Sequence, residues 1–304
     1  MTPEVVTFWG EPGVALRSDD LEVVVLPRRG AKIASLRHRR HRREWLEQPA
    51  RDLGDGPAYG SAFTGTDMFG WDEMAPSINA STYPDGELRG TPLPDHGEVW
   101  TLPWETTFAG EDLVCSTAGR ALPYRLTRSI HLEGTRLRLE YQLSATGAAP
   151  LWLLWAAHPL FVVADKGTRI VLPEQVSELL NVWPTTEPAR VPWPSPDTES
   201  IRGLPIGAGR KFYAPADAAI GTASLIDADG PRLQLSWDPE LVPYLGIWLD
   251  NGAYARNPVI ALEPSTGFYD DLALAVSNQR VPQVHPKTPL RWSLDVRVGG
   301  GAPR

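Results

Sequence analysis

An all-β sandwich is the fold class this sequence predicts, and three observations predict it. Apolar and polar residues alternate with a period of two over long stretches, and no helical periodicity runs beyond two turns. Thirty prolines and 27 glycines punctuate the 304 residues between those stretches. Many short strands with few helices imply large antiparallel sheets packed face to face, here as a single domain over 1–304 with only a few short helices.

The elements follow in order. "LEVVVLP" (21–27) and "GAKIASL" (30–36) read as early strands, and "RHRRHRR" (37–43) as the solvated turn that follows. In "YRLTRSIHL" (124–132) and "TRLRLEYQL" (135–143) the alternation gives each strand one wet face, with "EGT" closing a hairpin. Leu137, Leu139, Tyr141 and Leu143 share the apolar face of the second. "LWLLWAAH" (151–158) is apolar on both faces and reads as one central strand. The segment "WPTTEPARVPWPSP" (183–196) reads as an extended surface loop, because strand patterning resumes after it. "RLQLSW", "LGIWLD" and "LRWSLDVRV" supply later strands, the last with Leu290, Trp292, Leu294, Val296 and Val298 inward. No internal repeat is present at a fixed period.

Composition narrows the function classes. A net charge of −8 argues against a nucleic-acid partner, whose affinity comes largely from neutralised phosphates. No apolar run approaches the roughly 20 residues of a membrane span. "MTPEVVTFWGEPG" lacks a basic region followed by an apolar stretch, so no secretory signal is expected. Cys115 is the single cysteine, which excludes intrachain disulfides, fits a cytoplasmic setting and reads as core filler.

Three places hold ionisable residues in apolar company. His158 ends the apolar run and precedes Pro159, which pushes it into extended geometry. A buried histidine needs partners for its ring nitrogens, so His158 is either a satisfied structural residue or a used one. Glu263 repeats that grammar, following "VIAL" and preceding Pro264; a carboxylate there is costly unless paired or used. "PLPDHGEVW" (92–100) sets Asp95, His96 and Glu98 around a glycine.

These segments together resemble the aldose 1-epimerase (galactose mutarotase-like) superfamily, in its divergent bacterial branch. "GAKIASL" is similar to the early glycine-led strand, and "GWDEMAPSI" (70–78) to the glycine–tryptophan–acid segment. "PDHGEVW" and "HPLF" (158–161) are similar to the two histidine motifs, and "LGIWLDNGAY…ALEPSTGFYDD" (245–271) to the C-terminal glutamate motif. The order is the family's, spanning residues 30 to 271. Ala157 stands where the family usually has asparagine, and "TDMFGWDEM" replaces its asparagine–arginine motif.

The resemblance implies a β-supersandwich that binds a sugar on a concave sheet face. It implies Glu263 as general base, His158 as general acid and His96 as a ring-oxygen partner, with no metal and no other cofactor. Ring opening takes the C1 hydroxyl proton while delivering one to O5, and closure reverses both transfers. Glu263 as carboxylate and His158 as imidazolium would then exchange roles. Trp71, Trp155 and Trp248 neighbour these motifs and are candidate sugar platforms, with core packing the alternative. Asp72 and Glu73 are candidate hydroxyl acceptors, with strand-end salt bridges the alternative. The expected partner is a small free aldose, with neither nucleic acid nor membrane, for a monomer or homodimer. A non-catalytic sugar-binding protein, a hexose-6-phosphate mutarotase and a lyase- or glycosidase-type sandwich are the competing readings.

Overall fold

A computed structural model describes residues 4–66 and 68–300. Among them, two antiparallel sheets dominate, one of 13 strands and one of eight, with two further two-stranded ribbons. In the larger sheet the strands Lys32–His38, Trp71–Met74, Ala156–Pro159, Val259–Ser265, Tyr244–Asp250, Gly209–Tyr213 and Glu178–Trp183 run side by side. The smaller sheet centres on the neighbours Tyr124–Glu133, Arg136–Ala145 and Leu290–Gly300.

The core between the sheets follows from the alternation. Leu137, Leu139, Tyr141 and Leu143 are buried, as are Trp292, Leu294, Val296 and Val298; Leu290 packs at its margin. They meet Val23, Val25, Ile33, Leu36 and Trp71 from the larger sheet. Cys115 is buried and free in the same core. The one α-helix among the described residues, Leu272–Ser277, is six residues long and is capped by Asp271, whose carboxylate accepts from Leu274 N–H at 2.8 Å. Among the described residues no helix is long and apolar enough to cross a membrane.

Two expectations are corrected. The apolar run 151–158 is not one strand: Leu151–Trp152 pairs with Gln283–Val284, and the chain then breaks before entering the larger sheet at Ala156. At the break Trp155 N–H donates to Thr266 Oγ1 and Leu154 N–H to the Pro76 carbonyl, bonds that replace a strand ladder. The proline-rich segment is not merely a loop, because Glu178–Trp183 and Ala189–Pro192 form an edge hairpin. The arginine-rich turn, by contrast, is a solvated tip over 39–42, joining Lys32–His38 to Arg43–Glu44.

Candidate active site

Strand parity builds the site on the face of the larger sheet that points away from the core. Along Val259–Ser265, Ile260 and Leu262 enter the inter-sheet core, whereas Val259 and Ala261 pack outside it with Leu160 and Ala255. Glu263 continues that outer row. On Tyr244–Asp250 the core takes Leu245, Ile247 and Leu249, leaving Gly246 and Trp248 outward; on Gly209–Tyr213 it takes Phe212, leaving Lys211 and Tyr213. His158 lies beside them on Ala156–Pro159. His96 arrives from a loop, and both it (φ 58°) and Gly97 (φ 70°) are left-handed. His96, His158, Lys211, Trp248 and Glu263 line a cavity of about 450 Å³, walled also by Phe63, Trp183, Tyr254 and Tyr269.

The two ionisable groups at its floor face each other. His158 Nε2 is 3.8 Å from Glu263 Oε1, and both side chains are almost fully buried. His158 Nδ1 is buried with no hydrogen-bond partner, so this is not a structurally satisfied histidine. The rings of His96 and His158 meet edge-on, 5.1 Å between centroids. His96 is aimed from behind: its Nδ1 is 3.0 Å from Asp95 Oδ1, and its ring stacks on Phe63 at 4.2 Å. Asp95 in turn accepts from Phe63 N–H at 2.8 Å, tying stacker and stacked into one unit. Across the cavity Trp248 packs against Trp183 and Tyr254, with centroids 5.2 and 5.8 Å away.

Burial sets the protonation states. It holds His158 well below the ordinary histidine range, and the nearby His96 and Lys211 push the same way. Burial pushes Glu263 upward, Lys211 opposes it and Asp270 adds to it, leaving the group raised. The two groups thus move towards each other in proton affinity.

No family model and no curated protein matches the sequence. Solved structures do. A Synechocystis protein, Slr1438, superposes with a TM-score of 0.75 at 16% identity, covering 99% of this chain and 100% of that one. A galactose mutarotase-like protein from Clostridium acetobutylicum gives 0.72 at 13%, covering 98% of each chain. Another from Lactobacillus casei gives 0.69 at 15%, covering 94% and 100%. The chain has the galactose mutarotase-like fold.

Within that mutarotase-like sandwich the sequence-selected residues divide. His96, His158, Glu263 and Trp248 line one cavity. Trp71, Trp155 and Glu73 do not: all three are fully buried between the sheets. Glu73 accepts from Arg128 at 2.7 Å, from the Trp155 indole at 2.7 Å and from the Tyr141 hydroxyl at 3.0 Å. Trp71 packs edge-on against Phe161. Asp72 shares the outer face, directly across from His158 in the strand register, but is buried under Lys32 in an ion pair. Glu98, beside His96 in sequence, instead accepts from Tyr59 O–H and Ala121 N–H.

Sequence reasoning missed Lys211, whose Nζ lies 2.8 Å from both Glu263 Oε2 and Asp270 Oδ1. It also missed Phe63, Trp183 and Tyr254. The signal for Lys211 was "GRKFY", where alternation puts Gly209, Lys211 and Tyr213 on one face. Among the described residues no group of three histidine, cysteine or carboxylate side chains is arranged to hold a metal ion.

Proposed function

We propose that this protein is an aldose 1-epimerase-type isomerase, interconverting the anomers of a neutral aldose by acid–base ring opening and closure. The observation that carries the reading is the buried His158–Glu263 couple at 3.8 Å, open to an aromatic-walled cavity. The two oxygens that exchange protons in this reaction, O1 and O5, sit on the same carbon. A donor and an acceptor a few ångström apart therefore serve both at once, with no need for the sugar to move between transfers. His96, held by Asp95 and Phe63, supplies a third group oriented towards the ring. Trp248 and Trp183 offer flat apolar surfaces for sugar C–H faces, and Asp270, Asp271 and Asn79 offer polar partners for hydroxyls.

The cavity's charge favours a neutral sugar over a phosphosugar. Among the described residues Lys211 is the single lysine or arginine on its lining, and two carboxylates already hold it. The arginine-rich turn is engaged elsewhere: Arg39 donates to the Ser18 carbonyl, Arg40 pairs with Asp20, and Arg43 pairs with Asp227 of the smaller sheet. Lys32 is committed to Asp72, and Arg29 to Glu11. A phosphate dianion would meet carboxylates without a free fork to receive it.

The test is exchange NMR or polarimetry of glucose, galactose and their 6-phosphates, with sugar affinity followed by tryptophan fluorescence. The protein should accelerate anomer exchange of a neutral aldose. Glu263→Gln should lower kcat by about 10²–10⁴ while affinity changes only a few-fold. Saturable binding with no acceleration across the panel would establish a sugar-binding protein instead, and a strong preference for the 6-phosphates would overturn the charge argument.

A further inference from the structure

We propose that Lys211 is a positioning residue: it pins one carboxylate oxygen of Glu263, so that the other is presented to the cavity as a single charged base oxygen. The chemistry done with that oxygen rests on the acid–base reading above, whereas the positioning is a property of the free protein.

The geometry separates the two oxygens of Glu263. Oε2 is 2.8 Å from Lys211 Nζ, an ion pair rather than an aligned hydrogen bond, and Oε1 points to His158 Nε2 at 3.8 Å. Lys211 is fixed from its other side by Asp270 at 2.8 Å, and Asp270 accepts from the Tyr213 hydroxyl at 2.7 Å. Tyr213 and Lys211 stand two residues apart on one strand face, so cation and clamp come from the same short element.

Reaching Glu263 requires Lys211 to cross the intervening strand Tyr244–Asp250, and the residue at the crossing is a glycine. Gly246 lies directly opposite Glu263 in the register. A Cβ there would sit 3.0 Å from Glu263 Oε2 and 3.6 Å from Lys211 Cε. The passage is built for this pair.

A fixed cation is needed because of what else faces Glu263. Burial disfavours its charge, Asp270 repels it, and burial likewise lowers the proton affinity of the neighbouring His158. His96 from the preceding loop and Tyr213 beside Asp270 complete the titratable surroundings. Without Lys211 two carboxylates would share a dry floor, and one would take up a proton. Lys211 itself is held firmly protonated: its two carboxylate partners outweigh burial.

The experiment is a carboxyl ¹³C NMR titration of the full-length protein labelled at glutamate Cδ, with the Glu263 signal assigned by its loss in Glu263→Gln. In Lys211→Met the Glu263 midpoint should rise by about one pH unit or more, a tenfold gain in proton affinity. Lys211→Arg should return most of the way. Lys211→Gln should raise the midpoint likewise and serves as the deciding variant should Lys211→Met not fold, whereas Asp270→Asn should move it downward. An unmoved Glu263 midpoint in folded Lys211→Met or Lys211→Gln overturns the proposal. The readout needs no turnover, so it stands apart from the isomerase reading. A protein inactive on every sugar but with a shifted midpoint refutes that reading and leaves Lys211's role intact. In an active protein, the acidic limb of the kcat/KM profile should follow the NMR midpoint from variant to variant.

Discussion

Replacing Glu73 separates a residue that clamps the two sheets from one that reads a sugar. Glu73 and Arg128 are both fully buried and 2.7 Å apart, and Glu73 also takes the Trp155 indole and Tyr141 hydroxyl protons. Glu73→Gln keeps the shape and an acceptor but removes the charge facing the Arg128 guanidinium, which also donates to the Ala31 carbonyl. Breaking a buried pair from one side costs about 3–5 kcal/mol. With an unfolding entropy of about 2.1 cal/mol/K per residue, 304 residues give about 0.64 kcal/mol/K, so Tm should fall by about 5–8 °C. Arg128→Met should cost a similar amount, and the double variant less than the sum of the two. Calorimetry measures the loss, and fluorescence titration with sugar should find affinity within a few-fold of the parent. A Tm unchanged within about 1 °C together with abolished sugar binding would falsify the placement, and return Glu73 to the cavity.

Other consequences are equally direct. His158, whose folded-state proton affinity is depressed by burial and by His96 and Lys211, contributes stability above the unfolded histidine value near 6.5 that is lost as pH falls below it, because the unfolded chain then binds the extra proton. Urea midpoints measured from pH 7.5 to 5 should therefore fall less steeply in His158→Gln than in the parent; parallel slopes would contradict the depressed proton affinity. Gly97→Ala should destabilise the protein by more than about 3 kcal/mol, since a Cβ there would lie 2.1 Å from the Ala75 carbonyl oxygen at a φ of 70°. Its thermal melt checks this, and a wild-type Tm would show that the turn carrying His96 can relax.

The period-two pattern made the fold legible, because each strand has one face in a large common core. His158 and Glu263 were legible for a related reason: an ionisable residue closing an apolar strand before proline has to be explained by a partner or a use. The errors came from faces. Asp72 and Glu73 are consecutive strand residues, so at most one of them could point into the cavity, and the alternation held that information. "YRLTRSIHL" held the rest of it, since Arg128 occupies an inward position between Leu126 and Ile130 and therefore demands a buried acid. Which acid answers it is a contact 55 residues distant, set by how the sheets stack. Lys211 was hidden in the same way, its partner lying 52 positions on and across an intervening strand. The proline-rich stretch concealed a hairpin because its pairing depends on register at a sheet edge rather than on composition.

The two ion-pair systems act on opposite faces of one sheet, and the strand Trp71–Met74 links them. From its inner face Glu73 reaches Arg128 of the smaller sheet and the Trp155 indole; from its outer face Asp72 reaches Lys32 on the strand two doors from His158. This strand is therefore held on both sides by buried charge, and charge pairs tolerate displacement less than apolar contacts do. It is also the strand that pairs with Ala156–Pro159, setting Asp72 opposite His158 and Glu73 opposite Ala157. The residues that first looked like sugar contacts thus fix the backbone from which His158 projects. Lys211 does the corresponding work from the other flank by fixing the carboxylate that His158 faces. A proton couple 3.8 Å apart would work only if neither member drifts: Lys211 holds Glu263, and the Lys32–Asp72 and Arg128–Glu73 pairs hold the strand beside His158.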